Sequence, residues 1–423
     1  MPLTASILAI GDEIVSGITV DSNSPFLADA LRAIGIETVG GFSVADDENA
    51  LVRALGRALT DADVVLATGG LGPTADDLTT AVVAKVAGRE LRMDEESLRR
   101  IEERFRSRNI PMPANNAKQA LIPEGAIIVP NPTGTAPGFI CPLNRPGPAR
   151  HIICLPGVPS EMRRMAMETV LPWLRGRAGT QRFGSRVFST FGLSESRLDE
   201  LLAGAIDPAE ARLSFRAAFP RMQTRVVVSG SDEREIEERL DRLEARVRER
   251  LGRAVYAIGD EGMEETVVRL LTEQGRTVAV AESCTGGLIG SRITDVAGSS
   301  RVFLLGIIAY ANDAKVRQLA VPEATLAEHG AVSLATAEAM ARGIREAAGA
   351  DLGVATTGIA GPGGGTPEKP VGTVCVALAW EGGGWSKRYD LGTRERDWVK
   401  RMTAQIALDR IRRWALGEVE DPD

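Results

Sequence analysis

The stretch Thr277–Ser300, TVAVAESCTGGLIGSRITDVAGSS, decides how the last third of the chain is read. Its apolar opening reads as a buried strand, and Glu282, Ser283, Cys284 and Thr285 fall at the strand's carboxyl end. Gly286 and Gly287 follow at once, and then a helix-like run. In open α/β sheets this is where ligands collect, because backbone N–H groups and a helix N-terminus favour an anion there. A phosphate or an oxyanion is therefore expected at this edge. Downstream come IIAYANDAK, with Tyr310 and Lys315, and VATTGIAGPGGGTPEKPVGT, whose glycine-rich loop from Gly358 to Gly372 lets backbone amides approach a ligand.

These residue types suit amide hydrolysis, which needs a nucleophile, a base that later protonates the leaving amine, and donors for a tetrahedral oxyanion. Ser283, Lys315 and the loop amides match those roles. Burial beside apolar strands would lower the lysine pKa toward the range where a neutral amine accepts the serine proton. Cys284 is the alternative nucleophile. Strand alternation lets one of the two face a pocket, and a cysteine ordinarily works with a histidine. Serine or threonine ahead of a helix is also the commonest N-cap, so ESCTGG taken alone reads equally as a turn.

Composition narrows the chemistry further. A chain of 423 residues, 44% hydrophobic and 25% charged, is globular and long enough for more than one domain, and no stretch approaches the ~20 apolar residues of a membrane span. The opening MPLTASILAIGDE carries no basic leader, so a cytoplasmic protein is expected. Four cysteines stand apart without a CxxC pair, which argues against a thiolate zinc site. Only two histidines, His151 and His329, leave no room for a histidine-rich metal centre. Lysine is equally scarce, six against 44 arginines, which draws attention to Lys315 and Lys369 inside the motifs. A net charge of -7 gives no bulk attraction to nucleic acid, so direct nucleic-acid binding is not expected.

Ahead of this region the chain alternates strands and helices from its first residues: SILAIG, a helix over 23–34, IETVGGFSV, a helix to Leu59, and DVVLATGG. That rhythm predicts a parallel sheet covered by helices. Helices over 76–86, 94–108 and 160–173 and strands at AIIVP and HIICLPG complete a first α/β domain, 1–173. Residues 174–257 read as a small α+β domain, and 258–418 as a second α/β domain. In ATGGLGPTADDLT, Gly69, Gly70, Gly72 and Thr74 suggest a phosphate cradle, while Asp76 and Asp77 suggest ligands for a hard divalent cation shared with phosphate oxygens. A single Asp there would only cap the helix. Three further segments fall at strand ends: GDEIVSG with Asp12, Glu13 and nearby Asn23, NPTGTAPG with Asn131, and LPGVPSEM with Glu161. Each alone is turn chemistry. Together they suit a diphosphate, with a metal held by Asp77 and helped by Asp76 or Glu161.

Taken in order, AESCTGGL, the Tyr310 to Lys315 spacing, GIAGPGG and EKPVGT resemble the nicotinamide-nucleotide amidase domain of the CinA family, from Gly259 to Leu416. The resemblance implies conversion of nicotinamide mononucleotide to nicotinate mononucleotide and ammonia without a cofactor. It marks Ser283 and Lys315 as a dyad and Tyr310 and Thr285 as their neighbours. Glu282, Gly286, Gly287 and the loop Thr357, Gly358 to Gly361 would surround the substrate, and Arg396 and Arg401 would reach its phosphate. GGLGPTADD and its companions, from Ala5 to Trp173, resemble the molybdopterin-binding fold of the same family's N-terminal half. That implies hydrolysis of ADP-ribose to AMP and ribose 5-phosphate, dependent on magnesium, manganese or cobalt and assisted by potassium. GLSESRLDELL resembles the family's KH-like domain but lacks a GxxG loop, so a spacer or dimerisation role and a homodimer are expected. Two other readings stay open: a molybdopterin-handling protein, and a non-catalytic partner in DNA uptake or damage response.

Overall fold

A computed structural model describes residues 3–143, 150–177 and 182–419. The chain divides into two compact units, 1–185 with 227–240, and 186–226 with 241–423.

The first α/β sheet uses β1 (Thr4–Ile10), β2 (Glu37–Val44) and β3 (Val64–Thr68). A two-stranded hairpin of β4 (Leu91–Met93) and β5 (Leu121–Pro123) stands apart. The sheet resumes with β6 (Ile127–Val129), β7 (Gly138–Leu143) and β8 (Arg150–Leu155), in the order β2-β1-β3-β8-β7-β6. The β2, β1, β3 and β8 neighbours run parallel, and β7 and β6 return antiparallel. Parallel strands need crossover helices, which cover both faces, and this explains why VVLAT of β3 is apolar at nearly every position and wholly buried. Val65 and Ala67 belong to one core with Leu51, Leu55 and Leu59, whereas Leu66 belongs to the other with Leu27, Leu31 and Met162.

Two predicted helices differ in form. The expected helix over 76–86 begins at Thr79 and runs Thr79–Ala87, because Asp77 closes a turn ahead of it. The expected helix over 160–173 is Pro159–Met165, a π-turn at Ala166–Val170, and Leu171–Arg175. Pro172 has no N–H and its ring crowds the carbonyl one turn back, so the helix widens there.

The middle region forms a sheet of β9 (Arg182–Thr190), β10 (Arg212–Ala218), β11 (Arg221–Gly230) and β12 (Val255–Ile258), ordered β10-β11-β9-β12. Its β10, RLSFRAA, goes unpredicted because arginines blur the apolar alternation.

The last sheet holds β13 (Val278–Glu282), β14 (Phe303–Ile308), β15 (Leu352–Gly358), β16 (Thr373–Trp380) and β17 (Gly383–Asp390), ordered β14-β13-β15-β16-β17. Strands β14, β13 and β15 are parallel, and the last two antiparallel. Alternation along β13 sends Val278 and Val280 into a core with Met263, Val267 and Leu408. Ala279 and Ala281 face a second core with Met340 and Ile344 of the helix Leu334–Ala348. The alanines matter: that helix lies so close that a β-carbon on Gly353 would strike the Ala341 carbonyl oxygen. Among the described residues no helix is long and apolar enough to cross a membrane.

Candidate active site

Continuing the β13 alternation past its end places Ser283 on the alanine face and Glu282 on the opposite one. The Ser283 N–H donates to the Thr356 carbonyl at 3.0 Å, so the ladder with β15 holds the serine backbone. Beyond β14 the chain turns into the helix Asn312–Leu319, which returns Lys315 beneath the serine. Lys315 is 1% exposed, and its Nζ lies 3.2 Å from Ser283 Oγ, 2.8 Å from the Ala309 carbonyl and 3.2 Å from the Tyr310 carbonyl. Burial depresses its pKa below the ordinary lysine value. Two carbonyls accept two amine hydrogens, so in the neutral amine the lone pair is left for the serine hydroxyl.

Cys284 lines the same cavity, of about 210 Å³, with Ser283, Lys315, Tyr310, Thr357 and Arg396. Its thiol belongs to an apolar cluster with Ala360, Val374 and Val399, and burial pushes its pKa up to about 12. A thiol so raised holds almost no thiolate near neutrality, and both histidines of the chain lie outside the residues lining this cavity. Serine is the residue with a base beside it.

The other expected residues separate into groups. Tyr310 is exposed at the cavity mouth, where its hydroxyl accepts from Arg396 Nη2 at 2.7 Å, and Arg396 Nη1 donates to the Gly361 carbonyl at 2.7 Å. Arg396 thus ties the two lips of the cavity together. Thr357 hands its hydroxyl to the Ala331 carbonyl at 2.7 Å, and Gly358 is hemmed in by β16, where a β-carbon would press on Val374 and the Thr373 carbonyl. Thr285 is wholly buried and paired with Thr356, Oγ1 to Oγ1 at 2.8 Å. Gly286 and Gly287 sit at φ values of 63° and 93°, the left-handed region that glycine tolerates.

Two expected substrate contacts do not reach the cavity. Glu282 is turned away from it: its carboxylate accepts the N–H groups of Gly287 at 3.0 Å, Ile289 at 3.2 Å and Gly290 at 2.9 Å, and so holds the turn and the following helix. Arg401 points elsewhere, with Nη2 on the Phe219 carbonyl at 3.2 Å and its guanidinium over the Phe219 ring. One position from Arg396 on a helix is about 100° of rotation, and five positions is 140° from it, which accounts for the divergence.

At the edge of the first sheet, Gly69 and Gly70 have φ values of 110° and 65°. Side chains there would collide with the Ile10 carbonyl oxygen and with Thr79 Oγ1, and one on Gly72 would run into the Asp77 carboxylate. Asp77 Oδ2 accepts the Thr74 N–H at 2.8 Å and the Thr74 hydroxyl at 2.6 Å. Asn23 Nδ2 donates to the Gly157 carbonyl at 2.8 Å and to Thr68 Oγ1 at 3.3 Å, tying neighbouring strand ends. Asn131 is occupied by its own loop: Oδ1 accepts from Thr133 and Gly134, while Nδ2 donates to Ala136 and, at 2.7 Å, to Glu161 Oε2.

The expected metal set of Asp76, Asp77 and Glu161 is not gathered. Asp77 is committed to the Thr74 turn and Glu161 to Asn131, and no three His, Cys, Asp or Glu side chains among the described residues converge to hold a metal ion. Another carboxylate takes the central place. Asp46 exchanges hydrogen bonds with Asp12, each backbone N–H to the other's carboxylate at 3.1 Å. Burial raises its pKa, and the charges of Asp12, Glu13 and Asp77 raise it further. Asp46 escaped the sequence reading although it lies two residues past the end of β2, the same strand-end position that singled out the others.

Fold and site together define an α/β protein in which one α/β sheet bears a buried serine–lysine pair and the other a glycine turn closed by Asp77. The CinA C-terminal domain matches residues 260–415, a probable molybdopterin binding domain matches 6–176, and the damage-inducible protein CinA KH domain matches 185–257. A CinA-like protein of Geobacter metallireducens is 44% identical over 98% of this chain and 100% of its own length. One from Chlorobaculum tepidum is 45% identical over 89% of each. A putative competence-damage inducible protein of Symbiobacterium thermophilum is 41% identical over 99% and 100%. The chain belongs to the CinA family.

Proposed function

We propose that the chain is a bifunctional hydrolase of pyridine-nucleotide salvage: a cytoplasmic enzyme, acting as a homodimer, that deamidates nicotinamide mononucleotide in its C-terminal domain and hydrolyses ADP-ribose in its N-terminal domain. The observation that carries the first half is the buried Lys315 Nζ, 3.2 Å from Ser283 Oγ with its other hydrogens on two carbonyls. In this reading the Ser283 proton passes to Lys315 as Oγ bonds to the carboxamide carbon. The Thr285 N–H, which donates to no protein group among the described residues, and the neighbouring Cys284 N–H, which otherwise meets its own thiol, receive the oxyanion. Lys315 then returns the proton to the departing nitrogen, ammonia leaves, and water releases the acid by the same route reversed. No cofactor enters these steps.

For the second half, the glycine turn and the acidic edge around Asp46 support a diphosphate substrate. With no preformed three-ligand cage among the described residues, a divalent ion would be held by one or two of Asp12, Asp46, Asp76 and Asp77 together with substrate phosphates, the usual manner for magnesium, and potassium would assist. Such an ion would supply neutralisation of the diphosphate charge. The protein's own part is to hold the chain of the Gly69–Gly72 turn open to phosphate.

Purified protein incubated with each nucleotide, with and without chelator, tests both halves. Ammonia release that resists chelator beside AMP release that does not is the expected result. Absence of ammonia from nicotinamide mononucleotide would overturn the first half, and chelator-indifferent or absent AMP release the second.

A further inference from the structure

The helix Arg396–Ala415 brings two cations to the serine–lysine domain's binding edge. Arg396 is engaged at the cavity mouth. Lys400, one helical turn along the same face, is half-buried, and its Nζ lies 3.6 Å from the point a β-carbon on Gly286 would occupy. The missing side chain of Gly286 opens the notch that the lysine enters.

The other five lysines of the chain all have partners. Lys85 pairs with Glu48, Lys118 with the Thr74 carbonyl, Lys315 with Ser283, Lys369 with the His329 carbonyl, and Lys387 lies over the Tyr389 ring. Lys400 has no hydrogen bond or ion pair among the described residues. Partial burial of an ammonium is unfavourable unless an anion meets it. The adjoining turn supplies a further anion-seeking group, since the Thr285 N–H is uncommitted among the described residues. That turn is closed by the Gly286 N–H on the Ser283 carbonyl at 3.2 Å, and the end Cα atoms of such a turn lie within about 7 Å of each other. A ribose bridges a gap of that order between a carboxamide and a 5′-phosphate.

We propose that Lys400 receives the phosphate monoester of the amide substrate and so sets the preference for a nucleotide over a nucleoside. The proposal rests on the amide-hydrolysis reading of the same cavity. It gives to Lys400 the role that sequence resemblance gave to Arg401, whose guanidinium is held by Phe219.

The test compares wild type, Lys400→Met, Lys400→Arg and the distant control Lys387→Met on nicotinamide mononucleotide and on nicotinamide riboside. Calorimetric titration of the mononucleotide into each protein carrying Ser283→Ala runs beside it. The ratio of kcat/KM for nucleotide over nucleoside should fall about 30-fold in Lys400→Met, the loss of one charge-assisted hydrogen bond, mainly through KM. Arginine should restore most of it, and the control should match wild type. A ratio within about twofold of wild type in Lys400→Met overturns the proposal. Should wild type release no ammonia at all, the hydrolysis reading fails by itself and the titration decides the lysine. Weaker nucleotide binding in Lys400→Met then upholds its role, and equal or undetectable binding in both removes it.

Discussion

The two α/β sheets are built alike at one end and differently at the other. In the first, Thr4 donates its N–H and hydroxyl to Asp63 Oδ2 at 3.0 and 2.9 Å, and the Asp63 N–H returns to Thr4 Oγ1. In the last, Thr277 and Asp351 repeat the same three bonds at 2.8, 2.7 and 3.0 Å. Each clamp locks the start of a central strand to the parallel neighbour that follows it in space. At the carboxyl ends the likeness stops. The C-terminal sheet completes its site with its own side chains, a buried amine against a hydroxyl. The N-terminal sheet instead crowds Asp12, Glu13 and Asp77 about Asp46, whose pKa burial raises first and their charges raise further. A dyad is finished on folding, whereas in the proposed reading the acidic edge would take positive charge from outside the chain.

The comparison can be broken most sharply at the dyad. Ser283→Ala should lower ammonia release by about 10⁴-fold or more, and Lys315→Met comparably, with AMP release from ADP-ribose unchanged. Cys284→Ala should keep most of the amidase rate; the reverse pattern, measured by steady-state ammonia assay, would return the cysteine to the leading place. Asp77→Asn and Asp46→Asn should each cost about 10²-fold in ADP-ribose hydrolysis while leaving the amidase intact. Joint loss of both activities would mean that the sites are not independent.

Acidity sharpens the contrast further. The proposed amide hydrolysis would need neutral Lys315, whose pKa is depressed by burial, so kcat/KM should rise about tenfold per pH unit up to that depressed value and level above it. The pH profile of Lys315→Met should lack this arm. The smallest effect belongs to the clamps. Asp351→Ala should destabilise the domain by about 1 kcal/mol, discounted for its exposure, as read from denaturant midpoints. The hydrogen bonds from Thr277 hold the Asp351 carboxyl below its ordinary value of 3.8. Its contribution is therefore complete above that value and is lost as pH falls through the depressed pKa.

Much of this was legible in the residues. The strand-end placement of Ser283 and the demand for glycine at Gly69 and Gly70 follow from periodicity and turn chemistry, whereas the pairing of Lys315 with Ser283 came from the family resemblance. What stayed hidden depended on direction and company. Glu282 and Asn131 carry groups able to touch a ligand, yet backbone N–H donors of their own loops claim them, and no linear pattern reveals that competition. Asp76, Asp77 and Glu161 are close to strand ends, but proximity to an edge does not say which carboxylates converge. Arg396 and Arg401 look equivalent until helical rotation separates them. Strand β10 was lost because its alternation is written in arginine rather than in apolar residues.

The carbonyls of Ala309 and Tyr310 have one more consequence, which concerns the traffic of hydrogen. With two of the amine's positions fixed on main-chain oxygens, a single line between Lys315 Nζ and Ser283 Oγ remains for exchange. In the proposed hydrolysis the nucleophile is deprotonated along that line, and the one hydrogen taken there is the one Lys315 then carries to the departing nitrogen. In heavy water the chemical step should then carry the signature of one hydrogen in flight, with a rate that declines linearly with deuterium content rather than as the product of several transfers.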